Sequence, residues 1–129
     1  MLDNLIAVAL EKIKKLEGFE KVEFIILYGS SLKNQVREGS DIDLCIYFNA
    51  SPEEAEEFRL RALSEVANDL FDIQIFNNLP LYVQIEVLDG KILYVKDLIF
   101  LYDVAYKTIR EFDDFKPRFY DYIGEEALR

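Results

Sequence analysis

Histidine is absent from this chain and cysteine occurs once, at Cys45. Without histidine there can be no Ser-His-Asp triad, no imidazole general base and no histidine-ligated zinc. A single thiol excludes an internal disulfide and a thiolate metal cluster. Any metal this chain holds must sit mainly on oxygen, which narrows the choice to magnesium, manganese or calcium. Basic charge is also scarce, with 15 Lys and Arg against 25 Asp and Glu and a formal net charge of −10. Binding to nucleic acid or to an anionic membrane rests on neutralising phosphates with Lys and Arg, so neither is an expected direct partner. No apolar run approaches a membrane span, and the N-terminal MLDNLIAVALEKIKKLEG has neither a basic n-region nor a cleavage-site pattern. A soluble cytoplasmic protein is the expectation.

What the chain does have is enough apolar surface for a core. Its 129 residues are 51% hydrophobic and 14% aromatic, which suits one compact domain over 1–129 and argues against disorder. Leu2, Leu5, Ile6, Ala9, Leu10, Ile13 and Leu16 fall at helical spacing before Gly18. KVEFIILYG reads as a strand ending at Gly29, and SSLKNQV as a short helix capped by Ser30 or Ser31. SDIDLCIYF alternates and then turns continuously apolar, as a central strand does. SPEEAEEFRLRALSEVAND carries a Ser51 cap, Pro52 and acids in its first turn, the marks of a helix start. FDIQIF reads as a third strand and KILYV as a short last one. Between them Leu81, Val83, Ile85 and Val87 alternate like a strand, but Pro80 and Gly90 punctuate a helix. From Asp97 an apolar helical stripe runs towards the end, expected to break near Pro117. Order and content predict an α/β or α+β domain, a small sheet of about four strands flanked by helices.

One stretch, LYGSSLKNQVREGSDIDLCIYF, carries chemistry. Residues two apart on a strand share a face about 6.5 Å apart, so Asp41 and Asp43 can aim both carboxylates at one point while Ile42 and Leu44 face the other way. Such a pair is costly unless a hard cation lies between them. Gly29 and Ser30, at the end of the preceding strand, allow close backbone approach and offer free N–H groups to phosphate oxygens. A phosphate cradle and a metal-binding carboxylate pair on successive strands describe a nucleoside triphosphate site. Lys33 and Arg37 can be phosphate ligands or solvated loop charges. Cys45 reads as a small buried hydrophobe, and the aromatic series from Tyr102 onward as core or partner surface.

GSSLKNQVREGSDIDL resembles the Gly-Ser, spacer, Asp-x-Asp signature of the polymerase β-like nucleotidyltransferase superfamily, and size and element order are similar to its minimal nucleotidyltransferases, the MntA-type antitoxins. The resemblance implies the polymerase β-like fold. It implies that Gly29 and Ser30 hold the triphosphate, with Lys33, Arg37 and Ser40 in the nucleotide site. Asp41 and Asp43 would ligate Mg2+, and Asp72 on FDIQIF would complete the metal site. In the spacer, Leu32-Lys33-Asn34 replaces the family's common Ala-Arg-Gly. The resemblance further implies a HEPN-domain ribonuclease toxin as partner, neutralised by transfer of AMP from ATP to a tyrosine. A non-catalytic antitoxin that masks its toxin is the second reading and a small-molecule nucleotidyltransferase the third; a homo-oligomer is possible. The 33 residues from Asp97 are too few for a separate substrate-binding domain.

Three acids compete for the third ligand. Asp69 precedes the strand, where it would end the preceding helix. Glu86 falls on the helix read for 80–90, expected away from the sheet. Asp72 opens FDIQIF, and strands lie about 4.8 Å apart, so its carboxylate can reach Asp41 and Asp43.

Overall fold

The computed structural model describes residues 2–29 and 42–123. Helix α1 (Leu2–Lys14) leads into β1 (Val22–Tyr28), then β2 (Ile42–Phe48), α2 (Pro52–Val66), β3 (Phe71–Ile75), α3 (Leu81–Leu88), β4 (Lys91–Val95) and α4 (Leu98–Ile123). The strands form one sheet in the order β3-β2-β1-β4. β1 runs antiparallel to both β2 and β4, and β2 runs parallel to β3. The parallel pair needs a crossover, and α2 supplies it.

Each strand is read from both sides. Ile25, Leu27, Ile42, Leu44, Ile46, Ile73 and Ile75 point to one face and meet Ile6, Ala9 and Ile13 of α1 and Ala55, Phe58 and Ala62 of α2. Phe24, Ile26, Tyr28 and Cys45 point to the other and meet Val87 of α3 and Leu101 of α4. That is why the strands read as nearly continuous apolar runs: the two inner strands are covered on both faces. Among the described residues no helix is long and apolar enough to cross a membrane.

α2 starts as its sequence requires. Ser51 Oγ accepts from the Glu54 N–H at 3.2 Å, Pro52 sits in the first turn and Glu53 and Glu54 follow. We expect Ser51→Ala to cost about 1 kcal/mol in urea unfolding. A loss below about 0.3 kcal/mol would mean the cap contributes nothing.

The helix between Pro80 and Gly90 is present, as its punctuation demands. Two expectations are corrected. α2 ends at Val66, with Ala67 in the left-handed conformation (φ 50°), so Asp69 lies in the following turn instead of ending the helix. α4 does not break near Pro117 but continues to Ile123. A proline deletes one donor from the ladder, and the hydrogen bonds on either side hold a long helix together across that gap. The short helix expected at 30–36 lies outside the described residues.

Candidate active site

The site is organised by strand register. Tyr28 on β1 pairs with Asp43 on β2, and Asp43 pairs with Asp72 on β3. The three residues form one row across the sheet, on the face opposite Ile42, Leu44 and Ile73. Each neighbour in the row is one strand spacing away, about 4.8 Å. Both aspartates are half-buried while the residues flanking them in the chain are buried.

Immediately after Tyr28 the chain turns at Gly29, with φ at +81°. A side chain there would be strained by the backbone alone. It would also collide: a Cβ on Gly29 would run into the Asp43 carboxylate, with Cγ only 3.2 Å away. The glycine is therefore the space into which Asp43 leans.

Asp72 is held from its own strand. Gln74, two residues on and on the same face, donates from Nε2 to both carboxylate oxygens at 3.2 Å each. Arg59 reaches the same edge from α2, gripping Glu56 through two hydrogen bonds of 2.9 and 2.6 Å and donating from Nη1 to the Ile73 carbonyl at 3.3 Å. Its guanidinium is further stabilised in the charged form, first by Glu56 and also by the Asp72 carboxylate. The edge of β3 is thereby blunted by a charge that also faces the site.

The Tyr28 phenol is pushed far above its ordinary range, first by burial, then by Cys45, Asp43, Asp72 and Glu86. It stays protonated at physiological pH, a neutral hydroxyl beside two carboxylates. Burial likewise pushes the Cys45 thiol up, so it packs as the small apolar residue expected and is no nucleophile.

An Mg-type ion needs several oxygens, and Asp43 and Asp72 supply carboxylates from adjacent strands at matching positions. Among the described residues no group of three or more acids, cysteines or histidines is placed to hold a metal. Asp41, the third acid of the sequence reading, lies outside the described residues, as do Ser30, Lys33, Arg37, Ser40 and the Leu32–Asn34 spacer.

A family model described as polymerase beta, nucleotidyltransferase matches residues 11–99, a span containing Gly29, Asp43 and Asp72. The chain belongs to the polymerase beta nucleotidyltransferase family. A nucleotidyltransferase-family relative from Methanocaldococcus jannaschii, provisionally named protein adenylyltransferase MJ1547, is 33% identical over 98 residues, covering 76% of this chain and 75% of that protein. Among solved structures, a chain from a toxin–antitoxin crystal structure with AMP-PNP superposes at a TM-score of 0.70 with 19% identity over all of both chains. A chain from the complex of tri-AMPylated Shewanella oneidensis HEPN toxin with MNT antitoxin gives 0.69 at 19% identity, over 97% of this chain and 99% of that one. At that identity the likeness is one of fold, and it is the polymerase β-like fold expected.

Within this nucleotidyltransferase the register brings Asp72 beside Asp43, within the reach that the spacing of neighbouring strands allowed. Asp69 is left in the preceding turn. Glu86 sits on a helix as expected, but not away from the sheet. α3 packs against the face that carries the row, Val87 is buried beside Tyr28, and the charge of Glu86 is felt by the Tyr28 phenol. Tyr28, Gln74 and Arg59 are the residues that sequence reasoning missed. Two of them had a signal: Tyr28 directly precedes the glycine, and Gln74 stands two residues from Asp72 on a strand. Arg59 had none, because its place depends on how α2 crosses β3.

Proposed function

We propose that this chain is a Mg-dependent protein adenylyltransferase that moves AMP from ATP to a tyrosine of a HEPN ribonuclease toxin and so neutralises it. The observation that carries the reading is the pairing of Asp43 with Asp72 beside a glycine whose left-handed backbone and close approach to the Asp43 carboxylate disfavour a side chain. The curated relative carries the name of a protein adenylyltransferase, and the similar folds come from toxin–antitoxin complexes, one of them with AMP on the toxin.

In this reading Asp43 and Asp72, joined by Asp41, hold the cation, while Gly29 and Ser30 line the triphosphate, with Lys33, Arg37 and Ser40 around it. Bound there, Mg2+ would offset phosphate charge and orient the α-phosphate for in-line displacement. The acceptor tyrosine oxygen forms a new bond to the α-phosphorus as the bond to pyrophosphate breaks. The hydroxyl proton is drawn towards the Asp72 carboxylate. Gln74 fixes that carboxylate, and protonated Tyr28 and the apolar face beneath it keep the row in place. Positioning and charge neutralisation supply most of the rate. The acidic surface, net −10, favours encounter with a basic RNA-cutting partner.

Co-expression with the HEPN partner, followed by pull-down and intact-mass measurement, tests the reading. The partner should co-purify and gain the mass of one or more AMP groups. A partner inhibited at unchanged mass would replace transfer by masking.

Metal and nucleotide should also bind together, because the triphosphate can approach the acids only with a cation between them. At a hundredfold excess over Kd, MgATP should add about 2.7 kcal/mol of stability. That is a rise of several degrees in Tm over ATP with chelator. Equal melting temperatures at saturating ATP would dismiss the metal site.

A further inference from the structure

β3 is poorly placed for a strand that must present a charge. It is five residues long, lies at the edge of the sheet and pairs on one side alone, with β2. Asp72 stands second in it, level with Asp43, and like charges directly opposite push their strands apart. β2 is also paired to β1, so the strand free to yield is β3. Gln74 does not prevent this, because it fixes the Asp72 carboxylate within β3 and travels with the strand.

An anchor from outside the strand comes from α2. The Ile42 N–H donates to the Leu70 carbonyl, so residues 70, 72 and 74 turn their backbone groups to β2 and residues 71, 73 and 75 turn theirs outward. Arg59 Nη1 donates to one of those outward groups, the Ile73 carbonyl, at 3.3 Å, next to Asp72 in the chain. The rest of the guanidinium is held as well. Nε and Nη2 donate to the two carboxylate oxygens of Glu56 at 2.9 and 2.6 Å, the forked pairing of arginine with a carboxylate. An ion pair three residues apart on a helix surface is ordinary and stabilises little by itself. What sets this one apart is its third nitrogen, placed on a neighbouring strand. The Arg59 side chain is accordingly the more covered of the two, 23% exposed against 47% for Glu56.

We propose that Arg59 is a positioning residue for Asp72: locked by Glu56, it straps the open edge of β3 to α2 and so holds the Asp72 carboxylate beside Asp43 before any cation arrives. This role rests on the reading of Asp72 as a metal ligand. Arg59 acts through the backbone of β3. Glu56 first, and Asp72 as well, favour the charged guanidinium, so the strap also brings positive charge towards a row of carboxylates. Lysine is no substitute, since one nitrogen on a flexible stem cannot hold Glu56 and reach Ile73 together. A row held in place beforehand spares the cation the work of gathering its ligands. Loss of the strap therefore weakens metal binding and leaves the chemistry of the filled site intact.

The test combines thermal shift against Mg2+ at fixed ATP, AMP-transfer rates over the same range, and hydrogen exchange of the full chain. In Arg59→Met the Mg2+ concentration giving half of the thermal shift should rise about tenfold, the effect usual when a group that orients a metal ligand is removed. Transfer at saturating Mg2+ should stay within about threefold of wild type. The β3 amides should exchange faster without metal and return to the wild-type rate with MgATP. Arg59→Lys should behave like Arg59→Met, and Glu56→Gln should fall between it and wild type. Arg61→Met is the control, because it removes an α2 arginine that donates instead to the Glu17 carbonyl. Its Mg2+ response should stay wild-type even if its melting temperature falls. An unchanged Mg2+ response in Arg59→Met overturns the proposal, as does a lysine that restores it or a loss of rate that saturating Mg2+ does not recover. Should Arg59→Met fail to fold by circular dichroism, Glu56→Gln carries the same test. A wild type that answers to no divalent cation sinks the metal reading and the strap together, whereas a responsive wild type matched by Arg59→Met removes the strap alone.

Discussion

Asp72→Asn should lower AMP transfer about a thousandfold or more while leaving the fold intact. The neutral side chain keeps its shape and can still accept from Gln74 Nε2, so the β2–β3 pairing has no reason to change. What it loses is the charge. A hard cation held by carboxylates loses one of few anionic ligands, and the acceptor hydroxyl loses the group that draws off its proton. Removing one of two like charges in adjacent register also relieves repulsion, so the melting temperature should hold or rise slightly. Asp69→Asn, in the turn before β3, should be silent. Glu86→Gln should be nearly silent for transfer, although it removes one of the charges that hold the Tyr28 phenol up. Initial rates and thermal melts on the three variants decide the matter. Transfer at the wild-type rate in Asp72→Asn, with loss in Glu86→Gln, would move the third acid from β3 to α3.

Gly29→Ala should be as damaging through a different route. The left-handed backbone at φ +81° costs a non-glycine residue about 1–2 kcal/mol. The added methyl also takes the place of the Asp43 carboxylate, which must swing out of the row or push β1 and β2 apart. Misplacement of a reacting group by about 1 Å can cost on the order of a hundredfold. Transfer should therefore fall by at least about that factor. Gly18 is the internal control, because it too has a positive φ, +97°, but its Cβ would meet only ordinary contacts at 3.6 to 3.7 Å. Gly18→Ala should show the loss of stability without the loss of activity. Equal activities in the two alanine variants would separate Gly29 from catalysis.

Much of this molecule was legible from particular residues. Ser51-Pro52 announced α2, and Pro80 with Gly90 chose a helix for a segment whose alternation suggested a strand. The spacing of Gly29-Ser30 from Asp41 and Asp43, and FDIQIF as an Asp-bearing strand, singled out the candidate site. Sequence could not supply pairing. Nothing local says that Tyr28, Asp43 and Asp72 share a row, because register is set by how whole strands bury their faces. The nearness of Glu86 was hidden for a similar reason. An eight-residue helix shows its own pattern but not the surface it lies across. Pro117 misled because local propensity at one residue was outweighed by the long helix around it.

The order in which strands enter the sheet has a bearing on synthesis. β1 leaves the ribosome first of the strands yet ends up inside the sheet, between β2 and β4. Its pairing with β2 becomes available early, and the Asp43–Asp72 row forms once β3 has emerged and α2 has folded back. The other edge of β1 waits for Lys91–Val95. Until then a nascent chain exposes the unpaired side of a strand whose residues are all buried in the finished protein, the kind of edge that recruits other chains. The strands that carry the carboxylate row are thus synthesised before the strand that covers the edge of β1, and a chain cut short ahead of Lys91 would carry the one without the other.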